Sequence, residues 1–225
     1  MSINHNLPVL LDINSTLFPP TSMALIEPNG LLAFGGDLSM ERLISAYQHG
    51  VFPWYSDGEP IMWWSPTPRS VIFVNQYKAA KSLKKLSRKN LFELKHNMAF
   101  NEVIRSCANI NRKEQNGTWI TEEMILAYEQ LHQLGVAHSF ECWQENHLVG
   151  GLYGIIIDKV FFGESMFSNV SNSSKLAFMY SVEYCQQQGI ELIDCQVESD
   201  HMNSLGAINI SRNEFEKLLK ELINK

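Results

Sequence analysis

Residues 137–163 read AHSFECWQENHLVGGLYGIIIDKVFFG, and this stretch decides the fold class. Residues 137–143 alternate, with His138, Phe140 and Cys142 on one face and Ser139, Glu141 and Trp143 on the other. The polar run 144–147 is a turn. Residues 148–157 and 159–163 are apolar strands joined at Asp158, so the whole reads as an antiparallel meander. Downstream, 173–188 reads as a helix stopped by Gly189, and 191–197 as a strand. A last helix opens with the capping box Ser211-x-x-Glu214 and carries Phe215, Leu218, Leu219 and Leu222 on one face. Upstream, helices are expected over 121–134 and 99–110, a strand over 91–96, a basic helix over 78–89 and a strand over 70–74. Helices and mainly antiparallel strands in this order make an α+β chain.

The texture changes near residue 70. All eight prolines and three of the five tryptophans precede it. One helix signal stands out there: Ser39 as N-cap, Glu41 in the first turn, Leu43, Ile44 and Tyr47 on one face, and Gly50 as the stop. Residues 51–69 are aromatic, proline-rich and irregular. They read either as the wall of a pocket or domain seam, or as a small satellite core.

Hydrophobic residues make up 45% of the 225-residue chain and charged residues 19%, the proportions of a globular protein. A net charge of −6 excludes a globally basic nucleic-acid binder but not a locally basic one. No run reaches the roughly 18 apolar residues of a membrane helix, and residues 1–5 lack a signal-peptide pattern. Cys107, Cys142, Cys185 and Cys195 form no Cys-x-x-Cys pair and read as reduced thiols of a cytoplasmic protein. Phosphate-loop and dinucleotide motifs are missing, Gly35-Gly36 reads as a turn, and the seven histidines lack metal-ligand spacing. Gly163-Glu164-Ser165-Met166-Phe167 half resembles a hydrolase elbow, but its fifth residue is Phe, not Gly.

Two constellations remain. Lys78, Lys81, Lys84, Lys85 and Arg88 fall on one helical stripe. Stacked like charges repel, so the stripe reads either as a docking face for an anion or as an ordinary solvated face. Asp194 and Gln196 lie one strand repeat apart among apolar residues. A carboxylate and an amide there are costly without partners, so they belong either to an active site or to a buried structural network.

Longer motifs then align with a known family. Residues 27–38 (EPNGLLAFGGDL), 46–54 (AYQHGVFPW) and 63–69 (WWSPTPR) resemble the opening signatures of the leucyl/phenylalanyl-tRNA–protein transferases. Residues 117–121 (GTWIT), 163–168 (GESMFS) and 192–197 (LIDCQV) are similar to later motifs of that family, in the same order. The resemblance implies a small N-terminal domain over 1–70 and an acetyltransferase-like (GNAT) domain over 71–225 with a mixed, mainly antiparallel sheet. It implies transfer of leucine or phenylalanine, with methionine a further substrate, from aminoacyl-tRNA to the N-terminal Arg or Lys of an acceptor protein, which marks that protein for degradation. The ester is already activated, so no cofactor and no metal are implied. A monomer is implied too.

By position, the resemblance assigns Trp54, Trp119, Tyr128 and Phe161 to the aminoacyl group and terminal adenosine, with Leu152 where other members carry Met. It assigns Asp194 and Gln196 to peptide-bond formation and Glu164 to an acidic active-site position. Lys81, Lys84, Lys85 and Arg88 are expected to meet tRNA phosphates, and Ser181 is a candidate for setting pocket size. Two rivals stay open: a peptidoglycan-type transferase that acylates a lysine side chain from aminoacyl-tRNA, and a non-catalytic tRNA-binding adaptor.

Overall fold

The computed structural model describes residues 7–110 and 119–223. Residues 1–5, and Gly117 and Thr118 of the middle motif, lie outside the described residues. The chain begins with a small sheet of β1 (Val9–Leu11), β2 (Leu31–Gly35), β3 (Phe52–Pro53) and β4 (Met62–Trp64), in the order β1-β2-β4-β3. Helix α1 (Met40–Gln48) lies between its second and third strands. Ser39 is the N-cap residue, but the capping contact comes from Asp37, whose Oδ1 accepts from the Ser39 N–H at 2.8 Å. Gly50 ends the helical segment at φ +72°, where a side chain would crowd the Phe215 ring.

Among the described residues the second sheet has seven strands. They are β5 (Arg69–Phe73), β6 (Glu93–His96), β7 (Ala137–Gln144), β8 (His147–Ile157), β9 (Val160–Ser168), β10 (Leu192–Asp194) and β11 (Ile208–Ile210), in the order β11-β5-β10-β9-β8-β7-β6. Among the described residues β10 and β9 are its one parallel pair. This is the expected α+β fold with a mixed, mainly antiparallel sheet. The meander β7-β8-β9 forms as read, with Glu145 and Asn146 at positive φ in the two-residue turn between its first two strands.

Helices cover both faces of the sheet. Helix α5 (Ser173–Gln188) packs on β7, β8 and β9, burying Leu176, Val182 and Cys185 with Phe140, Leu152 and Phe161. On the other face α3 (Phe100–Ala108) and α4 (Glu122–Gln133) bury Val103, Met124, Tyr128 and Leu131 with Tyr153, Phe162 and Phe167. That second core runs on without a break into Leu32, Tyr47 and Trp63 near the N-terminus and Phe215 near the C-terminus. Glu141 explains where α3 begins. Its buried Oε1 accepts from the N–H groups of Met98 and Ala99 and from the Ser139 hydroxyl, which supplies the cap that Ala99 lacks.

Three elements differ from the sequence reading. The basic helix is shorter: α2 spans Lys81–Ser87, so Lys78 precedes it and Arg88 is its C-cap. Ala80 is a poor N-cap, and repulsion along the stripe disfavours a longer helix. Strand β9 continues to Ser168 rather than ending at 163, because β8 is long enough to pair with it from Val160 to Ser168. Strand β10 ends at Asp194 rather than 197, since Gln196 turns into the left-handed region at φ +56°. The chain continues through α6 (Asp200–Ser204) and ends on α7 (Arg212–Leu222), which opens with Ser211 Oγ accepting from the Glu214 N–H, as the capping box predicts.

Candidate active site

Strand β8 breaks register with β9 between Tyr153 and Gly154: Tyr153 pairs with Ser165 and Gly154 with Gly163, leaving Glu164 as the extra residue of a bulge. The bulge reverses the side-chain alternation. Phe161 and Met166 therefore face the core under α5, while Phe162 and Phe167 face the opposite one. Where the parallel pair β9–β10 parts, a cleft of about 540 Å³ opens. Leu152, Phe161, Met166, Phe178 and Ile193 form an apolar floor, Trp54 and Trp119 stand at the wall, and Glu164 and Gln196 supply polar groups.

Two tyrosines hold the Glu164 carboxylate from behind. Tyr47 donates to Oε1 at 2.7 Å and Tyr128 to Oε2 at 3.0 Å, and the two hydroxyls also contact each other. Burial pushes the Glu164 pKa up to about 7, and the tyrosine hydrogen bonds oppose that rise without cancelling it. Both phenols are raised well above their ordinary value, chiefly by burial and then by the Glu164 charge, so they remain donors. The result is a carboxyl group poised to exchange a proton near neutral pH.

Asp194 is fully buried, and its oxygens are occupied. Arg69 spans both, Nε to Oδ1 at 2.8 Å and Nη2 to Oδ2 at 2.6 Å. Oδ1 also accepts from the backbone N–H of Gln196 at 3.0 Å. Asp194 thus orients Gln196 through its main chain. The Gln196 amide donates instead to the Gly163 carbonyl at 2.5 Å and reaches Glu164 Oε1 at 3.4 Å. Cys195 also lines the cleft, but burial and then the Asp194 charge raise its thiol far above the ordinary range, so it is no thiolate nucleophile.

The structure brings together Trp54, Trp119, Leu152, Phe161, Glu164, Asp194 and Gln196 around one cleft. Tyr128 is not on its wall. Helix α4 buries that ring completely, and its hydroxyl reaches the site only through Glu164. Ser181 is buried too, donating to the Phe178 carbonyl at 2.7 Å. Phe178, not Ser181, narrows the cleft. Lys81, Lys84, Lys85 and Arg88 are exposed and away from the cleft lining. Sequence reasoning missed Tyr47, Arg69, Met166 and Phe178. The first three lie inside motifs quoted above, but nothing in their spacing distinguishes a site residue from a core residue.

No helix among the described residues is long and apolar enough to cross a membrane. Among solved structures, a GCN5-related N-acetyltransferase from Kribbella flavida is similar at 10% identity over 75% of this chain and 60% of that one, with a TM-score of 0.41. Other proteins are far nearer in sequence. A leucyl/phenylalanyl-tRNA–protein transferase of Nitrosospira multiformis is 53% identical over 94% of this chain and 90% of its own length. One from Cellvibrio japonicus is 55% identical over 90% of this chain and 86% of its own. A family model described as leucyl/phenylalanyl-tRNA protein transferase matches residues 71–220, and one described as its N-terminal domain matches residues 36–67. The chain belongs to the leucyl/phenylalanyl-tRNA–protein transferase family.

Proposed function

We propose that this protein transfers leucine or phenylalanine from aminoacyl-tRNA to the α-amino group of acceptor proteins, with acceptors that begin with Arg or Lys preferred and methionine a third acyl group. One observation carries the reading: an apolar cleft with room for such a side chain has at its edge the Glu164 carboxyl, which burial pushes up to about 7. In this reading the aminoacyl side chain lies on Leu152, Phe161, Met166, Phe178 and Ile193, with Trp54 and Trp119 against the terminal adenosine. Glu164 takes a proton from the acceptor α-ammonium, whose ordinary pKa is about 7.7–8.0. The freed nitrogen attacks the ester carbonyl, the C–N bond forms, and the ester C–O bond breaks. The terminal ribose oxygen leaves as a hydroxyl, taking up the proton that Glu164 held, and the second proton of the acylated nitrogen passes to the freed Glu164 carboxylate and from there to water. Gln196 orients the attacking amine through its carbonyl oxygen, the amide's remaining acceptor. We assign residues 1–70 and 71–225 to two domains, the whole acting as a cytoplasmic monomer.

The test is product analysis. Purified protein is mixed with Leu-tRNA or Phe-tRNA and a peptide that begins with Arg and carries an internal Lys. Fragment masses with the acyl group on the α-amine are the expected result. Acylation of the lysine side chain would favour the peptidoglycan-type rival. Binding of tRNA without product would favour the adaptor.

We assign the exposed cations of α2 to tRNA phosphates. Lys81, Lys84, Lys85 and Arg88 are solvent-facing and, among the described residues, form no ion pair with an acid. Changing Lys81, Lys84 and Arg88 together to Gln should flatten the slope of log K for tRNA against log salt by roughly two to three units. An unchanged slope with binding intact would leave α2 an ordinary solvated face.

A further inference from the structure

We infer that Arg69 is a positioning residue for transfer: through Asp194 it holds the backbone of Gln196 in the left-handed turn that aims its amide at Gly163 and Glu164. This inference rests on the function proposed above. Gln196 has a side chain and sits at φ +56°, a conformation that persists only where its surroundings impose it. Residues 69 and 70 impose it from three directions. Arg69 fixes the carboxylate that accepts from the Gln196 N–H. Ser70 donates its N–H to the Gln196 carbonyl at 3.1 Å, and its own carbonyl accepts from the Cys195 N–H at 2.9 Å.

Arg69 is itself fixed by stacking. Its guanidinium carbon lies 4.9 Å from the Phe52 ring centre and 4.6 Å from that of Phe215, so β3 and α7 clamp it. The planar fork is thereby aligned with both carboxylate oxygens. A lysine offers one point charge, spans only one oxygen and does not stack as a plane. The C-terminal helix thus supports the acceptor side of the cleft although α7 contributes no residue to its lining. The pair also adds two small opposing contributions at Glu164, where burial dominates: the Asp194 charge raises that group's pKa and the Arg69 charge lowers it.

Two variants test this against plain structural support. Arg69→Lys should lower kcat tenfold or more while KM for the acceptor peptide and affinity for tRNA stay within twofold. The double variant Arg69→Met with Asp194→Leu removes both buried charges and replaces them by apolar groups of similar size, so it should melt at or above the wild-type temperature. Its kcat should nevertheless stay at least tenfold down, because the Gln196 N–H has lost its acceptor. A kcat within twofold of wild type in Arg69→Lys overturns the inference, as does recovery of kcat together with stability in the double variant. If Arg69→Lys fails to fold, the double variant decides. Wild-type protein in the same assay separates the two levels: no product from it at all counts against the proposed function instead.

Discussion

Glu164→Gln should lower the transfer rate by about a hundred- to a thousandfold, the usual contribution of a positioned proton acceptor. An amide fills the same space but takes no proton from the α-ammonium. In the wild-type protein the rate should rise with pH through an acid limb near 7, where Glu164 loses its proton. In the variant that limb should move up to the acceptor's own ionisation, at about 7.7–8.0. Stability should change in the opposite sense. The folded-state pKa of about 7 lies above the ordinary 4.5, so between these values the folded protein binds more protons than the unfolded chain. The contribution of Glu164 to stability is therefore greatest below pH 4.5 and declines as pH rises through 7. Above pH 7 the Gln variant avoids burying that charge and should be more stable by roughly 1–3 kcal/mol, with Tyr47 and Tyr128 rotating their hydroxyls to meet the amide. Rates from pH 5.5 to 8.5 and melting curves at pH 6 and 8 check both parts. A variant that turns over at the wild-type rate at pH 8, or keeps the limb near 7, would remove Glu164 from the chemistry.

Gly154→Ala should strongly destabilise the fold. A Cβ at this position would lie 2.2 Å from the Phe162 carbonyl oxygen and 2.6 Å from Cε2 of the Phe161 ring. The first obstacle is the backbone of a paired strand, which cannot rotate away, and the second is the floor of the cleft. Relief requires β8 and β9 to separate at the bulge that places Glu164. A loss of about 3 kcal/mol or more is expected, which for a chain of this size lowers the melting temperature by roughly 6–12 °C. Activity should fall further than the folded fraction, because the surviving molecules have a displaced Phe161. Gly163→Ala is the comparison: its nearest neighbour is the Asp194 carbonyl at 3.6 Å, ordinary contact distance, so its melting temperature should scarcely change. A Gly154→Ala protein that melts within 2 °C of wild type would show that the strands part easily there.

Much of the architecture needs only local information. The alternation of residues 137–143, the positive-φ turn at Glu145 and Asn146, the stop at Gly189 and the cap at Ser211 each depend on a few neighbouring residues, and all appear in the structure. Errors arose where a local signal met a tertiary constraint. Polar Glu164 and Ser165 looked like a strand end, yet β8 pairs across them by accommodating an extra residue. Apolar Val197 looked like continued strand, yet the Asp194 and Ser70 contacts turn the chain away first.

By itself the sequence determined the class of fold and the family, and the resemblance named seven residues that meet at the cleft, Trp54, Trp119, Leu152, Phe161, Glu164, Asp194 and Gln196, together with Tyr128, which does not line it. Those follow from periodicity, from turn chemistry and from motifs long enough to be recognised as strings. Only the tertiary structure decided which partners each polar group has. Asp194 is held by Arg69, 125 residues earlier in the chain. Tyr128 looked like a wall residue and is a donor behind Glu164, paired there with Tyr47 from 81 residues away. The physical reason is the same in each case. The protonation and orientation of a buried group depend on which partners are buried with it, and contacts between distant segments leave no periodic trace in the chain.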